Sequence, residues 1–472
     1  MKEETQKFIR YLSFKMDCLR EQEENPLTID VAKCEEYLEV LGKLKEEKVE
    51  ALKLTMPKSP INKAKTEPKG AKYKKDGTLS QHWKNWYTFL EDLKLPPDTL
   101  GPVAYVDGWE DGNPNSTDQV KQWLFSLGWK PRTFKFVRNK TTGEERQIEQ
   151  VRKNGLLCPS VRELISRDKS IELLDGLTVI THRMGIFKGF LKDHKDGKVV
   201  SSAGGFTNTL RLQHRAPVVN LPSVEAKYGE WCRGVIVSPD SDHVFCGADV
   251  SSLEDMTKRH YIKPIDPQFV EDMSVDGYDA HLDLAKYAGV VTQEDIDKHN
   301  SGEINLKPIR TKYKAANYSC VYGVGSATLA RDIGISEREA GELIKSYWER
   351  NHAVKKVAKK QYVKTLKDGS KWLKNGVSGF YHSLRHDKDR WSTANQSTGV
   401  YVFDLWVMFC RKAGLKISMQ YHDEILFSVA KGQEEEVKSI VHESMVKVNE
   451  ALKLNVNIEV DEQFGDSYAA VH

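Results

Sequence analysis

The sequence predicts a mixed α/β (α+β) fold with additional helices, and three patterns lead to that prediction. Apolar side chains recur at spacings of three to five residues over residues 30–54, which indicates an amphipathic helix. The segment His243–Val250 is mostly apolar with an acid near its end, which is typical of a buried strand. Residues 416–429 alternate between apolar and polar side chains, which predicts a hairpin with its tight turn at His422-Asp423.

The first part of the chain is predicted to be helical and then extended. Helices are expected over residues 4–22 and 30–54, with Asp30 as the N-cap of the second helix. Residues 56–70 are poor in apolar side chains and are interrupted by proline, so a loop or an extended arm is expected. Residues 77–112 carry aromatic side chains between polar stretches, which predicts a small folded extension: Trp83, Trp86, Tyr87, Phe89 and Trp109.

From about residue 115 onward, helix and strand signals alternate along the chain. Residues 308–330 follow a helical pattern. Ser336 and Glu339 form a capping box, which marks the start of a further helix. The alternation extends the α/β or α+β prediction to the larger part of the sequence.

The composition indicates a globular protein of a reducing compartment. Apolar residues make up 39% of the 472 residues, which is enough for a large buried core. The seven cysteines are scattered and never form a C-x-x-C pair, which argues against a disulfide scaffold and against a zinc site. The sequence shows no uncharged apolar run of membrane-spanning length and no signal peptide. We therefore expect a cytoplasmic protein, or one of the host cytoplasm if the source is viral, with no membrane partner.

Positive charge is concentrated in two short segments, although the formal net charge is only +3. Residues 53–75 and residues 355–374 each contain eight lysines against one acidic residue, and the rest of the chain is net negative. Two basic islands on an acidic body are typical of a protein that binds a phosphate backbone. Each island taken alone is equally consistent with a solvated charged surface.

Three segments carry side chains that suit phosphoryl transfer. The predicted strand delivers Asp249 at its C-terminal end, and Glu254 follows five residues later. A second segment places four functional side chains at four-residue spacing on one face of a predicted helix, namely Arg310, Lys314, Tyr318 and Tyr322. The third segment, Tyr421-His422-Asp423-Glu424, places carboxylates at the apex of the predicted hairpin.

Each of these segments also has a simpler interpretation. A single aspartate at a strand end is usually a turn or cap residue. A helix with basic and aromatic residues at this spacing is usually an amphipathic surface helix, and His-Asp-Glu on a hairpin is often only a polar turn. The occurrence of all three segments in this order argues against those interpretations taken together.

The chemistry of phosphoryl transfer connects the three segments. Carboxylates from adjacent strands can hold two Mg²⁺ ions about 3.5–4 Å apart. Oxygen ligands suit Mg²⁺, and the absence of paired histidines and cysteines disfavours zinc. Arg310 and Lys314 would grip the triphosphate of an incoming nucleotide, with Tyr318 against its sugar and base.

At these residues the sequence closely resembles the family A (Pol I-like) DNA polymerases, and most of all their phage replicative branch. Asp249–Glu254 is similar to motif A of the family, Arg310–Gly323 to motif B and His422–Glu424 to motif C. Tyr278–His281 resembles the fingers segment whose histidine contacts the triphosphate. Leu210–His214 resembles the palm segment that meets the minor groove of the primer–template.

The resemblance runs from about residue 115 to the end of the chain and implies a right-hand polymerase fold with thumb, palm and fingers. The implied activity is template-directed addition of dNTPs to a primer on primer–template DNA, by two-metal phosphoryl transfer, in phage genome replication. The expected domains are a thumb at 1–130 with a thumb extension at 57–112, a first part of the palm at 131–260, fingers at 261–365 and a second part of the palm at 366–472.

The resemblance also implies roles for the matching residues. Asp249 and Asp423 would be catalytic and would bind the two Mg²⁺ ions, assisted by the backbone carbonyl of Val250. Glu254 would be the steric gate that excludes a ribose 2′-OH, and Lys314 would stabilise or protonate the leaving pyrophosphate. The full implied nucleotide-binding set is Glu254, His281, Arg310, Lys314, Tyr318 and Tyr322.

DNA contacts are expected at two places. By resemblance, Arg211 would touch the primer end, Gln396 the minor groove and His422 the backbone of the primer terminus. The first basic island adds contacts to DNA phosphates from the extension, at Lys63, Lys65 and Lys72. Two departures from the family pattern affect this region, since Met256 and Ser392 replace an arginine and an asparagine.

Further expectations concern partners and alternative functions. Polymerases of this branch normally carry a proofreading exonuclease, and the chain begins at the thumb, so no intrinsic 3′–5′ exonuclease is expected. A separate exonuclease polypeptide or a processivity factor is a possible partner. One alternative is a non-catalytic nucleic-acid-binding module, which has no need of an acidic pair among DNA phosphates. The other is a single-subunit RNA polymerase, which Glu254 disfavours because it would obstruct ribonucleotides.

Overall fold

Helices and strands both make up much of the protein. The computed structural model describes residues 3–138, 142–153 and 155–471. The helices are α1 (Glu3–Glu24), α2 (Val31–Thr55), α3 (Gln81–Asp92), α4 (Thr117–Ser126), α5 (Pro159–Arg162), α6 (Leu177–Asp193), α7 (Gly229–Gly234), α8 (Leu253–Ile262), α9 (Pro267–Met273), α10 (Ala280–Tyr287), α11 (Gln293–Asn300), α12 (Lys307–Val321), α13 (Ser326–Ile333), α14 (Glu337–Arg350), α15 (His352–Lys360), α16 (Arg390–Lys412) and α17 (Glu434–Leu452). The strands are β1 (Leu27–Ile29), β2 (Ser59–Lys65), β3 (Val103–Glu110), β4 (Phe134–Arg138), β5 (Glu145–Glu149), β6 (Arg152–Lys153), β7 (Leu156–Leu157), β8 (Lys198–Val199), β9 (Ala203–Phe206), β10 (Leu212–His214), β11 (Ile236–Val237), β12 (His243–Val250), β13 (Val363–Thr365), β14 (Lys371–Lys374), β15 (Tyr381–Leu384), β16 (Met419–Tyr421), β17 (Glu424–Ala430) and β18 (Val460–Gly465). This content confirms the predicted mixed class. No helix within these residues is long and apolar enough to cross a lipid bilayer.

The chain divides into two compact units. One consists of Met1–Cys34 and Gly189–His472, and the other of Glu35–Lys188. The two opening helices have nearly the predicted bounds, and α1 groups with the larger unit. Its buried face includes the polar side chains Lys15 and Gln22, which find their partners in that unit. The predicted limits of thumb, palm and fingers remain predictions.

A four-stranded antiparallel sheet forms the centre of the larger unit, with strand order β16-β17-β12-β18. Strand β12 is the predicted strand, and residues 244–248 within it are consecutively buried because it pairs on both sides. The predicted hairpin is also confirmed, as β16 and β17 flank a tight turn at His422-Asp423. Gly247 is required for packing at the middle of β12, since a Cβ there would lie 2.6 Å from the carbonyl oxygen of Val471.

Helices α16 and α17 cover the sheet and complete its core. The apolar face of α16 includes Phe403, Trp406 and Val407, and these side chains are buried because they pack with the inward residues of β12 and β17. The Trp406 indole nitrogen donates to the carbonyl of Val441 on α17 (3.0 Å), so even this buried polar atom has a partner.

Helices α10 to α14 form a second core in the same unit. The helical prediction for residues 308–330 is confirmed as α12 and α13, which are separated by a turn with Gly323 at φ 71°. The predicted capping box is present at the start of α14: Glu339 N–H donates to the Ser336 hydroxyl (3.2 Å), and Ser336 N–H donates to the Glu339 carboxylate (2.8 Å).

The smaller unit contains a helical core and the predicted extension. Leu52 of α2 packs with Trp123 and Leu124 of α4 among its fully buried residues. In the extension, β2 pairs with β3 as an antiparallel ribbon beside α3, so residues 59–65 of the predicted loop or arm are a strand. Trp86 and Leu90 of α3 are each 1% exposed, which makes this segment a small folded structure with its own core.

Candidate active site

The register of the central sheet brings the two predicted catalytic carboxylates to the same place. Asp249 near the end of β12 lies opposite Glu424, the first residue of β17, and Asp423 directly precedes it. Val250 N–H also donates to the carbonyl of Asp423 (3.0 Å), which extends the ladder to the turn. His422 has φ 58°, a left-handed conformation that histidine tolerates better than most residues. The hairpin geometry is therefore set by backbone hydrogen bonds.

Burial and nearby charges shift the pKa values of two side chains at the turn, Asp423 and His214. Partial burial raises the pKa of Asp423, against the opposing effect of the nearby Arg211. The ring of His214 lies 5.7 Å from that of His422 and 4.8 Å from that of Tyr421. Burial, with smaller contributions from His422 and Arg211, lowers the pKa of His214 to about 4, so this histidine is neutral at pH 7. Arg211 is therefore the local positive charge beside the carboxylates.

Glu254 connects this turn to two further helices. It lies in the first turn of α8, and its carboxylate pairs with Arg211 (Nη2 to Oε1, 3.3 Å). Asn395 of α16 donates to its backbone carbonyl (2.9 Å). Tyr322 at the end of α12 is close enough that burial first, and then the Glu254 carboxylate, raise the pKa of its hydroxyl. Gln396 reaches the same hydroxyl (Nε2 to Oη, 3.5 Å).

The donor set at the turn fits a hard divalent cation. The groups at this place are the carboxylates of Asp249 and Asp423 and the backbone carbonyl of Val250, all of them oxygen ligands of the kind that Mg²⁺ prefers. Partial burial raises the pKa of Asp423, and a cation bound beside it would favour its charged form. Within the described residues, no group of three or more His, Cys, Asp or Glu side chains is arranged to hold a metal ion. Two carboxylates and a carbonyl would leave the remaining positions around a cation to water or substrate oxygens.

The predicted triphosphate-binding residues are held by side chains of α10 and α12. Arg310 donates from Nε to Asp279 Oδ2 (2.5 Å), and Asp279 Oδ1 accepts from the backbone N–H groups of His281 and Leu282 at the start of α10. Asn317 donates to the carbonyl of Ala280 (2.9 Å). One carboxylate therefore caps the helix that carries His281 and also orients Arg310.

His281 lies among the cationic residues of α12. Its ring centre is 6.0 Å from that of Tyr318, and its Nδ1 lies 3.1 Å from the side-chain nitrogen of Asn317. Burial lowers the pKa of His281, and the charges of Arg310 and Lys314 act in the same direction against the effect of Asp279. His281 is therefore a neutral hydrogen-bonding group at pH 7. Tyr318 is 58% exposed, so its face is open to a ligand.

The structure thus gathers the predicted residues in two adjoining groups. Around the turn are the residues predicted to bind metal and primer, together with the predicted gate: Arg211, Asp249, Val250, Glu254, Gln396, His422 and Asp423. On α10 and α12 are the residues assigned to the triphosphate, sugar and base: His281, Arg310, Lys314, Tyr318 and Tyr322. The three lysines of the extension belong to the smaller unit. There Lys63 pairs with Asp107 (2.5 Å), Lys65 lies over the Phe89 ring and Lys72 lies among aromatic rings.

Several residues that hold the turn were not predicted from the sequence. Gln22 of α1 accepts a hydrogen bond from the backbone N–H of Gln420 (2.8 Å), and Glu21 accepts from that of Ile417 (2.9 Å). At the other side of the hairpin, Tyr468 donates to Glu424 (3.0 Å). The sequence pattern of α1 gives one usable signal, which is a polar residue at a helix position that faces a core.

A buried ion pair anchors α1 beside the same hairpin. Lys15 and Asp404 are 3% and 2% exposed, and the ammonium lies 2.6 Å from the carboxylate. Tyr11 also donates to Asp404. The pair lines a small cavity of about 20 Å³, with Arg211 and His422 on its other sides. Breaking such a pair by removing one partner is strongly destabilising, so α1 is firmly attached at this point.

The chain resembles known polymerases in sequence. The DNA polymerase family A profile matches residues 103–470. DNA polymerase I of Streptococcus pneumoniae serotype 4 is 24% identical over 485 residues, which cover 98% of this chain and 50% of that protein. DNA polymerase I of Bacillus caldotenax is 25% identical over 396 residues, which cover 80% of this chain and 42% of that protein. The chain therefore spans half or less of the length of these two relatives.

The fold is also similar to that of a solved polymerase. The POL domain of Pol1 from M. smegmatis, in complex with DNA primer-template and dNTP, superposes with a TM-score of 0.66 at 18% identity, covering 97% of this chain and 70% of that one. This likeness supports the right-hand arrangement that the motifs predict. Because the family profile covers the central sheet, the His422-Asp423 turn and the α10–α12 helices together, the chain belongs to DNA polymerase family A.

Proposed function

We propose that this chain is a template-directed DNA polymerase that adds dNTPs to the 3′ end of a primer. The observation that carries the proposal is the pairing of Asp249 with Glu424, because it brings Asp249 beside Asp423 at one sheet end. Two unneutralised carboxylates would repel DNA phosphates, whereas cations bound between them create a phosphoryl-transfer site. The M. smegmatis relative was solved with primer-template DNA and dNTP, which supports the same two partners for this chain.

Two Mg²⁺ ions are the proposed cofactors. The carboxylates of Asp249 and Asp423 and the carbonyl of Val250 would hold them, and bound Mg²⁺ would supply positive charge to the attacking and leaving oxygens of the phosphoryl transfer. Arg211, which pairs with Glu254, would stay beside the primer end as a fixed positive charge. His422, at the apex of the turn, would contact the backbone of the primer terminus.

The fingers residues would bind and orient the triphosphate. Arg310 uses its Nε for Asp279, so its two terminal nitrogens remain for a bidentate grip on phosphate oxygens. Lys314, one helical turn further on, would donate a proton or a hydrogen bond to the leaving pyrophosphate. His281, whose pKa is lowered mainly by burial, would donate a neutral hydrogen bond.

The sugar and base would be selected next to these groups. Glu254 would exclude a ribose 2′-OH, and its pairing with Arg211 keeps the side chain in one orientation. Tyr318 would stack near the sugar, Tyr322 would occupy the templating-base position, and Gln396 would reach the minor groove. The contact between Gln396 and the Tyr322 hydroxyl supports a shared location for the last two roles.

Two finer assignments complete the proposal. The motif pattern of the phage replicative branch favours a role in phage genome replication. Residues 57–112 are assigned to DNA contact or to docking of a processivity factor.

Primer extension tests the proposed activity directly. With a 5′-labelled primer–template, the chain is expected to incorporate each templated dNTP, to discriminate strongly against rNTPs, and to stop when Mg²⁺ is chelated. Binding of primer–template without incorporation under any metal condition would favour the non-catalytic binding module instead. Efficient use of rNTPs would favour an RNA polymerase.

The Glu254→Ala variant tests the assignment of the gate within that assay. Removing the carboxylate is expected to admit ribonucleotides while leaving dNTP incorporation within a few-fold of the parent. Glu271→Ala, an exposed glutamate on α9, serves as the matched control and should keep the parental selectivity. Unchanged selectivity in Glu254→Ala would locate the gate elsewhere.

A further inference from the structure

The extension carries a hairpin loop that holds none of the residues assigned above to the metal ions or the nucleotide. Ser80 N–H donates to the carbonyl of Lys72 (2.9 Å), and Lys74 N–H donates to that of Thr78 (2.7 Å), so the loop is closed by backbone hydrogen bonds. Gly77 turns the chain with φ 80°. Lys74 and Lys75 therefore stand at the exposed tip of an ordered loop.

Aromatic rings lie at the base of this loop. The Lys72 ammonium is 5.2 Å from the ring centre of Tyr87, 5.5 Å from that of Trp83 and 5.8 Å from that of Tyr73. Trp83 and Tyr87 are neighbours on α3, with ring centres 5.9 Å apart, and the Trp83 indole nitrogen donates to the carbonyl of Gly70 (2.9 Å). Tyr73 is 58% exposed. The rings are fixed in place, and part of their surface faces solvent.

The lysine side chains on β2 and on the loop of the extension differ in whether a carboxylate lies beside them. On β2, Lys63 is paired with Asp107 of β3 (2.5 Å). On the loop, Lys72, Lys74 and Lys75 have no carboxylate within 4 Å among the residues that the structure describes. Lys63 thus has a carboxylate partner, whereas the loop presents net positive charge beside aromatic faces.

We propose that Lys72, Tyr73, Lys74, Lys75, Trp83 and Tyr87, the loop surface, bind single-stranded DNA. Unpaired bases stack on aromatic side chains whatever their sequence, and lysines next to those rings take up the backbone phosphates. A duplex offers no free base faces, so the aromatic component favours a single strand over double-stranded DNA. Lys72 now covers the rings by cation–π contact, and its flexible chain lets the ammonium move to a phosphate when a base takes its place.

Binding of the full chain to a fluorescent (dT)20 oligonucleotide tests the loop surface, with a blunt hairpin duplex as comparison. Trp83→Ala is expected to weaken (dT)20 binding about 5- to 150-fold, the range expected for removal of one base–aromatic stack, and to change duplex binding less than about 2-fold. Trp83→Phe should recover most of the affinity. The matched control is Trp109→Ala, because Trp109 is 63% exposed on β3 but adjoins acidic residues.

A charge series provides a second measurement that does not depend on aromatic packing. Lys74→Gln with Lys75→Gln should reduce the salt dependence of (dT)20 binding by about 1.4 in log–log slope, since single strands release about 0.7 counterion for each phosphate that a lysine neutralises. Lys43→Gln, whose lysine pairs with Glu39 (2.5 Å) on α2, should leave the slope unchanged. Equal effects in the Trp109 and Lys43 controls, equal weakening of duplex binding, or parental (dT)20 affinity in folded Trp83→Ala protein would each overturn the proposal. Because the readout is binding, it is independent of polymerase activity.

Discussion

The His422-Asp423 turn and the facing residues of α10 and α12 are held in different ways. Around the turn, Asp249 and Asp423 are positioned by the backbone hydrogen bonds between β12 and β17. On α10 and α12, His281 and Arg310 are positioned by side chains, chiefly the carboxylate of Asp279. Backbone hydrogen bonds persist through many side-chain changes, whereas a single substitution can break a side-chain contact. Asp249 and Asp423 should therefore respond mainly to loss of their own carboxylates, and Arg310 and His281 to loss of their neighbours.

The largest effect is expected from the residues of the turn. Asp249→Asn or Asp423→Asn should reduce single-turnover incorporation at least about 1,000-fold, equivalent to about 4 kcal/mol, because the amide cannot hold the metal charge. Primer–template affinity should stay within about threefold, since most binding comes from lysine and arginine contacts to phosphate. Asp240→Asn, an exposed aspartate before β12, is the control. Near-parental turnover in either turn variant would contradict the metal assignment.

A smaller effect, on the selectivity between dNTPs and dideoxynucleotides, is expected from replacing Tyr318, the exposed tyrosine of α12. A dNTP carries a 3′-OH that a dideoxynucleotide lacks, and the Tyr318 hydroxyl can replace it. Tyr318→Phe should therefore restore discrimination against dideoxynucleotides by about 10- to 150-fold, the value of one hydrogen bond to a charged group. The ratio of dNTP to ddNTP incorporation efficiency measures it. Equal ratios in both proteins would remove Tyr318 from the nucleotide site.

The contacts of Asp279 with Arg310 and with the start of α10 are tested by Asp279→Asn. Asparagine keeps an oxygen for the α10 cap but removes the charge that orients Arg310, so the KM for every dNTP should rise about 5- to 10-fold with a smaller change in kcat. Asp266→Asn is the matched control, because Asp266 caps α9 in the same way through Phe269 N–H (3.1 Å). A KM for dNTP that is unchanged by Asp279→Asn, or raised equally by Asp266→Asn, would show that the contact between Asp279 and Arg310 does not matter for nucleotide binding.

The smallest effect is expected where a side chain supports the backbone ladder. Gln22→Met keeps the volume of the side chain but leaves the N–H of Gln420 without its acceptor, so kcat should fall about 3- to 5-fold with little change in the KM for dNTP. Glu23→Met, exposed on the same helical turn, should have no effect. A decrease in Gln22→Met as large as that of the Asp423 variant would mean that α1, rather than the ladder, positions the turn.

Much of the site could be predicted because its geometry follows from local patterns. The alternation over residues 416–429 predicted the hairpin, and the apolar content of residues 243–250 predicted β12. Both strands are present, and their pairing brings Asp249 opposite Glu424. The four-residue spacing of Arg310, Lys314 and Tyr318 likewise required only a helix. In these cases the chemistry-bearing residues lie on elements that the sequence specifies by itself.

The remaining features depend on contacts between residues far apart in sequence. The local pattern of α1 shows only that Gln22 is a polar residue at a core-facing position, and its role arises from an N–H that lies 398 positions later. Similarly, the placement of α1 with the central sheet depends on the buried pair of Lys15 and Asp404. In the extension, the run of lysines did not indicate that Lys63 would be paired and Lys72 would not, since β2–β3 register decides which carboxylates are near.

The hydrogen bonds of the hairpin with Gln22 and Tyr468 have a consequence for the order of synthesis. A ribosome makes α1 well before the hairpin, and nearly 400 residues must follow α1 before Gln420 can lie beside it. Tyr468, which donates to Glu424 from the other side, follows that glutamate by 44 residues. Contacts between residues so far apart in sequence form late. The growing chain therefore exposes the face of α1 that carries Gln22 until the hairpin has been made, a period in which chaperones can bind that face.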